Sequence, residues 1–175
     1  MIYKLAKNDF KTKYAGSYLG IIWAFIQPVI TVLVYWFVFE VGFRGGSDSL
    51  PVPFVLYLVA GIIPWFFFQD GLTGGTNSLL EYSYLVKKVV FNISVLPVVK
   101  ILSAVFVHLF FIVFITFLYC CYGHFPDLYY LQLLYYLAGL LLLILGLSYL
   151  TSAVVVFFRD LSQMISIALQ IGIWL

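Results

Sequence analysis

The sequence predicts an all-α integral membrane protein, a transmembrane bundle of helices. Of its 175 residues, 65% are hydrophobic and only 9% are charged, against about 25% charged in a soluble domain. The mean hydropathy is +1.11, and a water-soluble domain of this size could not bury so much apolar surface, because it still exposes about a third of its unfolded-chain area. Long apolar runs such as LAGLLLLILGL at 137–147 lack the period-two alternation of barrel strands. The net charge of +2 is too small to indicate nucleic-acid binding.

The chain opens with a predicted amphipathic helix at residues 2–14. Its apolar stripe contains Tyr3, Ala6, Phe10 and Tyr14. Its lysines are Lys4, Lys7, Lys11 and Lys13. Such a helix suits the plane of the lipid headgroups, where anionic lipids attract each basic residue by about 1 kcal/mol. We expect the lysines to anchor the helix to the membrane surface, and contact with an anionic lipid-linked substrate is the alternative.

Four apolar runs then reach the length of about 20 residues that a helix needs to cross the bilayer. They occupy residues 18–43, 53–75, 97–122 and 128–157. A fifth run, 162–175, is too short for about 30 Å of hydrocarbon at about 1.5 Å per residue. We therefore expect the fifth span to be truncated in this sequence.

The basic residues predict the orientation. Eight of the nine lysines and arginines precede the first span, flank the connection between the second and third spans, or follow the fourth span. Only Arg44 lies in a connection on the opposite side of the membrane, the one between the first and second spans. Under the positive-inside rule these eight face the cytoplasm, as does the N-terminus.

The connection between the second and third spans is longer than a plain loop requires. Ser78 and Glu81 have the spacing of a capping box, which predicts a helix at 77–91. Glu81, Tyr84 and Lys88 fall on its polar face. Pro97 prevents a regular helix from continuing into the next span. Pattern alone leaves two roles open for this helix: anchoring its neighbours at the membrane surface, or docking a cytoplasmic partner.

Polar groups inside the spans are candidate functional residues. The Gln27 amide, beside Pro28, needs a partner in a protein-lined setting. Asp70 costs about 2.5–3.5 kcal/mol at the membrane centre, so we expect it to face the bundle interior or to lie near the inner boundary. His108, in the third span, is either a hydrogen-bonded packing residue or a proton relay.

The sequence shows no catalytic or metal-binding set. The spacing of Cys120 and Cys121 relative to His124 is not that of a zinc site. The segment GLTGGTN at 71–77 lacks the lysine of a phosphate-binding loop, so we expect no nucleotide site in this chain. Energy for any work on a substrate must then come from another subunit.

Four segments resemble the permease subunits of ABC exporters for polysaccharides and teichoic acids. They are FKTKYAGSYLGIIWAFIQPVITVLVYWFVF at 10–39, GIIPWFFFQDGL at 61–72, TNSLLEYSYLVKKVVFNISVLPV at 76–98 and FFRDL at 157–161. Within the first, Tyr14, Leu19-Gly20, Trp23 and Pro28 follow the family's order. The matches cover almost the whole chain.

The resemblance implies a homodimeric permease in a bacterial plasma membrane, paired with an ATPase subunit that binds ATP and Mg²⁺; no cofactor is expected in this chain. Residues 2–14 would be the family's interface helix, and 77–91 the coupling helix that lies in a groove of the ATPase. The expected ATPase contacts are Glu81, Tyr84, Lys87 and Lys88. The expected substrate-path residues are Trp23, Gln27, Trp65 and Asp70. The substrate would be a lipid-linked glycan, and the family's six spans exceed the five present here.

Other functions remain open from the sequence. A drug or lipid exporter of the same superfamily is one alternative. A passive channel or membrane scaffold is another, and it would not need a docking helix. An intramembrane enzyme would have only the unpaired Asp70 and His108 for its chemistry.

Overall fold

The structure is a computed structural model. It describes the chain over the ranges 2–13, 18–42, 52–83 and 92–174. Over these ranges the chain forms six α-helices and no strand. They are α1 (Ile2–Lys13), α2 (Trp23–Trp36), α3 (Phe54–Glu81), α4 (Val95–Cys121), α5 (Gln132–Val155) and α6 (Leu161–Gly172).

Four helical segments of the described chain are long and apolar enough to cross a membrane. They are Gly20–Phe39, Phe54–Glu81, Val95–Cys121 and Leu128–Val155, and the shorter apolar helix α6 follows them. The prediction of an all-α integral membrane bundle is confirmed.

Helix α2 is irregular at both ends and contains a proline. A 3₁₀ turn, Gly20–Ile22, precedes it and a π-helix, Phe37–Gly42, follows it. Pro28 lies inside the helix, and because proline has no backbone N–H, one turn of the hydrogen-bond ladder is broken there. Membrane helices tolerate this where neighbouring groups satisfy the backbone.

Helix α3 is the centre of the bundle, with α4 packed on one side and α5 on another. The α5 side is lined by small residues: a Cβ atom at Gly75 would lie 2.3 Å from Ser148 Oγ, and one at Gly71 would lie 3.1 Å from Ile144 Cγ2. Small residues allow membrane helices to approach closely, since lipid provides no hydrophobic force to drive them together.

Two apolar clusters fill the bundle. In the first, Phe67 and Ile144 pack with Ile101 and Ala104 of α4. In the second, Val59, Ile63 and Phe111 are buried, and residues of α2 pack against them. The clusters hold α2, α3, α4 and α5 together along their lengths.

The predicted start of a separate helix at residue 77 is wrong. Helix α3 runs without interruption from Phe54 to Glu81, and the Ser78 hydroxyl donates a hydrogen bond to the Gly75 carbonyl inside that helix at 2.7 Å. Packing against α5 favours continued helix here over the local capping pattern, because Thr76 and Ser78 are fully buried. The remainder of the predicted coupling helix, 84–91, lies outside the described residues.

Helix α1 packs against the bundle at the point where α3 ends and α4 begins. The rings of Tyr3 and Phe10 meet the edge of Phe106 of α4, at centroid distances of 5.9 and 6.0 Å. Ala6 and Asp9 are buried on the same side. The predicted apolar stripe therefore faces α4 as far as it is described, while Lys4, Lys7, Lys11 and Lys13 are exposed. We call this region the α1 end of the bundle.

Candidate functional site

A cavity of about 680 Å³ lies between α2, α3, α4 and α6. Polar side chains from all four helices line it: Gln27, Gln69, Asp70, Thr73, His108 and Gln170. Aromatic side chains line it as well: Trp23, Tyr35, Phe66, Phe67, Phe111 and Trp174. Amide donors and acceptors beside aromatic faces suit a ligand with both hydroxyls and apolar C–H surface.

Three of the four predicted substrate-path residues line this cavity, namely Trp23, Gln27 and Asp70. Trp65 does not. Its ring packs on α6, where a Cβ atom at Gly172 would lie 2.8 Å from it, and its Nε1 is buried without a hydrogen bond to the described residues. The period of a helix explains the difference, because Trp65 and Asp70 are five positions apart and point in different directions.

His108 contributes a buried polar atom next to the cavity. The residue is 6% exposed, and its imidazole stacks on Phe67 with ring centroids 4.4 Å apart. Its Nδ1 makes no hydrogen bond within the described part of the chain. Buried polar atoms usually have a partner, so this nitrogen is a candidate contact for water or a polar ligand.

A charged cluster joins three segments at the α1 end. Lys100 Nζ in α4 lies 2.7 Å from Asp9 Oδ1 of α1 and 2.5 Å from Glu81 Oε2 at the end of α3. The Tyr82 hydroxyl donates a hydrogen bond to Asp9 Oδ1 at 2.5 Å. The side chains of Lys100 and Asp9 are 12% and 6% exposed, whereas Glu81 is 52% exposed. We call these four residues the Lys100 cluster.

A second ion pair connects α1 to the cavity. Lys13 Nζ lies 2.5 Å from Asp70 Oδ1, and both side chains are about 40% exposed. The pair also borders a crevice of about 470 Å³ that contains the Lys100 cluster. Asp70 is therefore paired rather than buried alone, and Lys13, Asp70 and Thr73 separate the cavity from the crevice.

Of the four predicted ATPase contacts, only Glu81 can be placed. It belongs to the Lys100 cluster, and Tyr84, Lys87 and Lys88 lie outside the described residues. Sequence reasoning missed the roles of Asp9 and Lys100. A usable indication was present: Asp9 is three positions from Ala6, on the apolar face of α1, and a carboxylate there requires a partner of opposite charge.

Comparison with known proteins identifies the family. The ABC-2 type transporter family model matches residues 2–175. The chain belongs to the ABC-2 type transporter family. Its family membership and its apolar helices establish a multi-pass membrane protein.

Relatives of this ABC-2 type transporter chain include two bacterial permeases. The O-antigen export system permease protein RfbA of Klebsiella pneumoniae is 28% identical over 170 residues, covering 95% of this chain and 63% of that protein. The protein of the same name from Myxococcus xanthus is 27% identical over 166 residues, covering 95% of this chain and 62% of its own length. The chain thus spans less than two thirds of the length of these relatives.

Proposed function

We propose that this chain is the membrane-spanning part of an ATP-driven exporter that carries a lipid-linked polysaccharide from the cytoplasmic side across the bacterial inner membrane. The observation that carries the proposal is the alignment of 95% of the chain with permeases of O-antigen export systems. A separate ATPase subunit would bind ATP and Mg²⁺. A second copy of the chain would complete the permeation path.

The cavity supports a glycan as the substrate. Pyranose rings present apolar C–H faces that pack on aromatic side chains, and their hydroxyls pair with amides. Trp23 and Gln27 supply one group of each kind on α2. The Lys13–Asp70 pair then lies at the boundary between the cavity and the crevice at the α1 end.

An export assay tests the proposal. Cells that lack the gene should lose surface polysaccharide and accumulate the lipid-linked glycan on the cytoplasmic side, and the complete wild-type protein should restore export. Gln27→Leu should lower export at least tenfold because it removes an amide from the cavity. Leu33→Ala is the control, since Leu33 is exposed on the outer face of α2. Normal surface polysaccharide in the deletion strain would refute the proposed function.

Cysteine labelling tests the orientation. Cys120 and Cys121 are first replaced by serine, and one cysteine is then introduced either at Asn92 or at His124, both of which are exposed. A membrane-impermeant maleimide applied to intact spheroplasts should label position 124 and spare position 92. The reverse pattern would place the α1 end outside the cell.

Co-purification tests the ATPase contact. Lys87→Glu combined with Lys88→Glu should release the ATPase that co-purifies with the wild-type protein, because two cations of the proposed docking segment are reversed. Arg44→Glu is the matched control, since the proposed topology places Arg44 on the outer side. Undiminished pairing in the double variant would contradict the docking assignment.

A further inference from the structure

The Lys100 cluster joins both sides of the connection between α3 and α4 to a third segment. Glu81 and Tyr82 stand where α3 ends, and Lys100 lies in the second turn of α4. Asp9 of α1 contacts Lys100 and Tyr82 together, through the same carboxylate oxygen. One buried carboxylate and one largely buried ammonium group therefore join three segments.

The two central charges of this junction are shielded from solvent, so each of them needs its partner. Lys100 and Asp9 are almost withdrawn from solvent, and a buried charge that loses its partner is strongly destabilising. An ammonium group has three donors, and Lys100 directs two of them to carboxylates on two different helices. Separating α1 from either helix would break at least one of these ionic hydrogen bonds.

The other contacts of α1 do not provide the same constraint. Tyr3 and Phe10 meet Phe106 through ring edges, and such ring pairs accept centroid separations of about 4.5–7 Å. Such contacts hold α1 close to α4 but allow it to slide. The charged hydrogen bonds of the Lys100 cluster need a donor and an acceptor at one separation and angle, so they set the register of α1.

The far end of α1 reaches the cavity. Lys13, one turn beyond Asp9, contacts Asp70, and both line the cavity and the crevice. A displacement of α1 would therefore move Lys13 relative to Asp70 at the boundary between the two spaces.

We propose that Lys100 is a positioning residue: it ties α1 to both sides of the α3–α4 connection, so that a movement of this connection reaches the Lys13–Asp70 pair at the cavity. The inference rests on the proposed function, because the movement would originate in an ATPase docked on residues 84–91. The inference goes beyond that function by naming the contacts through which the movement reaches the substrate cavity. Lys100 itself does not line the cavity.

A distance measurement in the complete protein, with its ATPase bound, tests the tie directly. Spin labels are attached to cysteines at the exposed positions Lys7 and Ser83, in a background with Cys120 and Cys121 replaced by serine. The wild-type distance distribution should be narrow and should have the same width with and without a non-hydrolysable ATP analogue. Lys100→Met should broaden it at least twofold. Lys100→Arg should restore the narrow distribution, because a guanidinium can also bind two carboxylates.

A matched control separates the junction from a general loss of charge. Lys11→Met also removes a lysine, but from the exposed face of α1, and it should leave the distribution narrow. If Lys100→Met fails to fold, Lys100→Met with Asp9→Asn removes both buried charges and should fold, again with a broadened distribution. A narrow distribution in folded Lys100→Met, or in the folded double variant, would overturn the inference.

The functional readout is export per ATP hydrolysed. Lys100→Met should keep the ATPase bound and hydrolysing while export per ATP falls at least tenfold, and Lys100→Arg should recover at least a third of the wild-type ratio. Unchanged coupling in Lys100→Met would overturn the inference and leave the proposed function intact. Absence of any ATPase on the purified wild-type protein would instead overturn the proposed function.

Discussion

The hydroxyl of Thr76 in α3 lies 2.7 Å from the hydroxyl of Thr151 in α5, within hydrogen-bond distance. This contact stands one residue along α3 from Gly75, which meets Ser148 of α5 so closely that no side chain fits between them. The polar pair and the glycine together mark one place where the two helices touch. At this level the packing of α3 on α5 depends on small and hydroxyl-bearing side chains, whereas Phe67 and Ile144 pack the two helices at another level.

Gly75→Ala should destabilise the bundle. An alanine in a helix interior is normally better than glycine by about 1 kcal/mol, but here the new Cβ would lie 2.3 Å from Ser148 Oγ and 2.6 Å from Ser148 Cβ. Overpacking of this kind costs about 1–3 kcal/mol. The free energy of unfolding, measured by circular dichroism during denaturation in detergent micelles, should fall accordingly.

Two further variants check this explanation. Gly146→Ala, on α5, adds a methyl group that meets nothing within 4 Å, so it should be neutral or stabilising. Ser148→Gly combined with Gly75→Ala removes the clashing atoms and should recover part of the loss. Equal stability of Gly75→Ala and Gly146→Ala would show that α3 and α5 do not touch at Gly75.

Asp9→Ala should cost much more stability than Asp70→Ala. Asp9 is buried against Lys100, and breaking a buried ion pair costs about 3 kcal/mol or more. The Lys13–Asp70 pair is about 40% exposed on both sides, so solvent screens it and its loss should cost less than about 1 kcal/mol. The same unfolding measurement compares the two variants, and similar losses would contradict the burial of Asp9.

The two aspartates also show what the sequence could and could not reveal. The cost of a carboxylate in lipid identified Asp70 as a residue to explain, and the structure supplies its partner, Lys13, 57 positions away. Such a pairing depends on how α1 lies against α3, which no local pattern encodes. Hydropathy alone predicts which segments form membrane helices. The end of α3 at Glu81 was not predicted, because tertiary packing prevails over the local Ser78–Glu81 capping pattern.

Filling the cavity should block export without dissociating the complex. Thr31 lines the cavity on α2, and Thr31→Trp would place a large ring in a space that the proposed substrate needs. Export should fall at least tenfold while the amount of co-purified ATPase stays constant. Val34→Trp adds the same ring at an exposed position of α2 and should leave export unchanged. Equal export by both variants would remove the cavity from the substrate path.

The exposed lysines of α1 should hold this helix closer to a membrane surface that contains anionic lipid. Replacing Lys4, Lys7 and Lys11 by glutamine removes about 1 kcal/mol of attraction per residue. A spin label at the exposed Asn8 should be less accessible to a water-soluble relaxation agent in phosphatidylglycerol liposomes than in phosphatidylcholine liposomes. The triple variant should abolish this difference, as should high salt, which screens surface charges. No lipid dependence in the wild type would contradict surface anchoring.

Pro28 changes the backbone hydrogen bonding of α2 beside the cavity. In a regular helix the amide of residue 28 would satisfy the carbonyl of Ala24, but proline has no hydrogen to donate, and Ala24 and Pro28 both line the cavity. The Ala24 carbonyl therefore lacks the donor that a regular helix would supply, and alanine scanning of the surrounding side chains would overlook this. Pro28→Ala restores the missing backbone N–H and is therefore the substitution that tests this effect of the main chain.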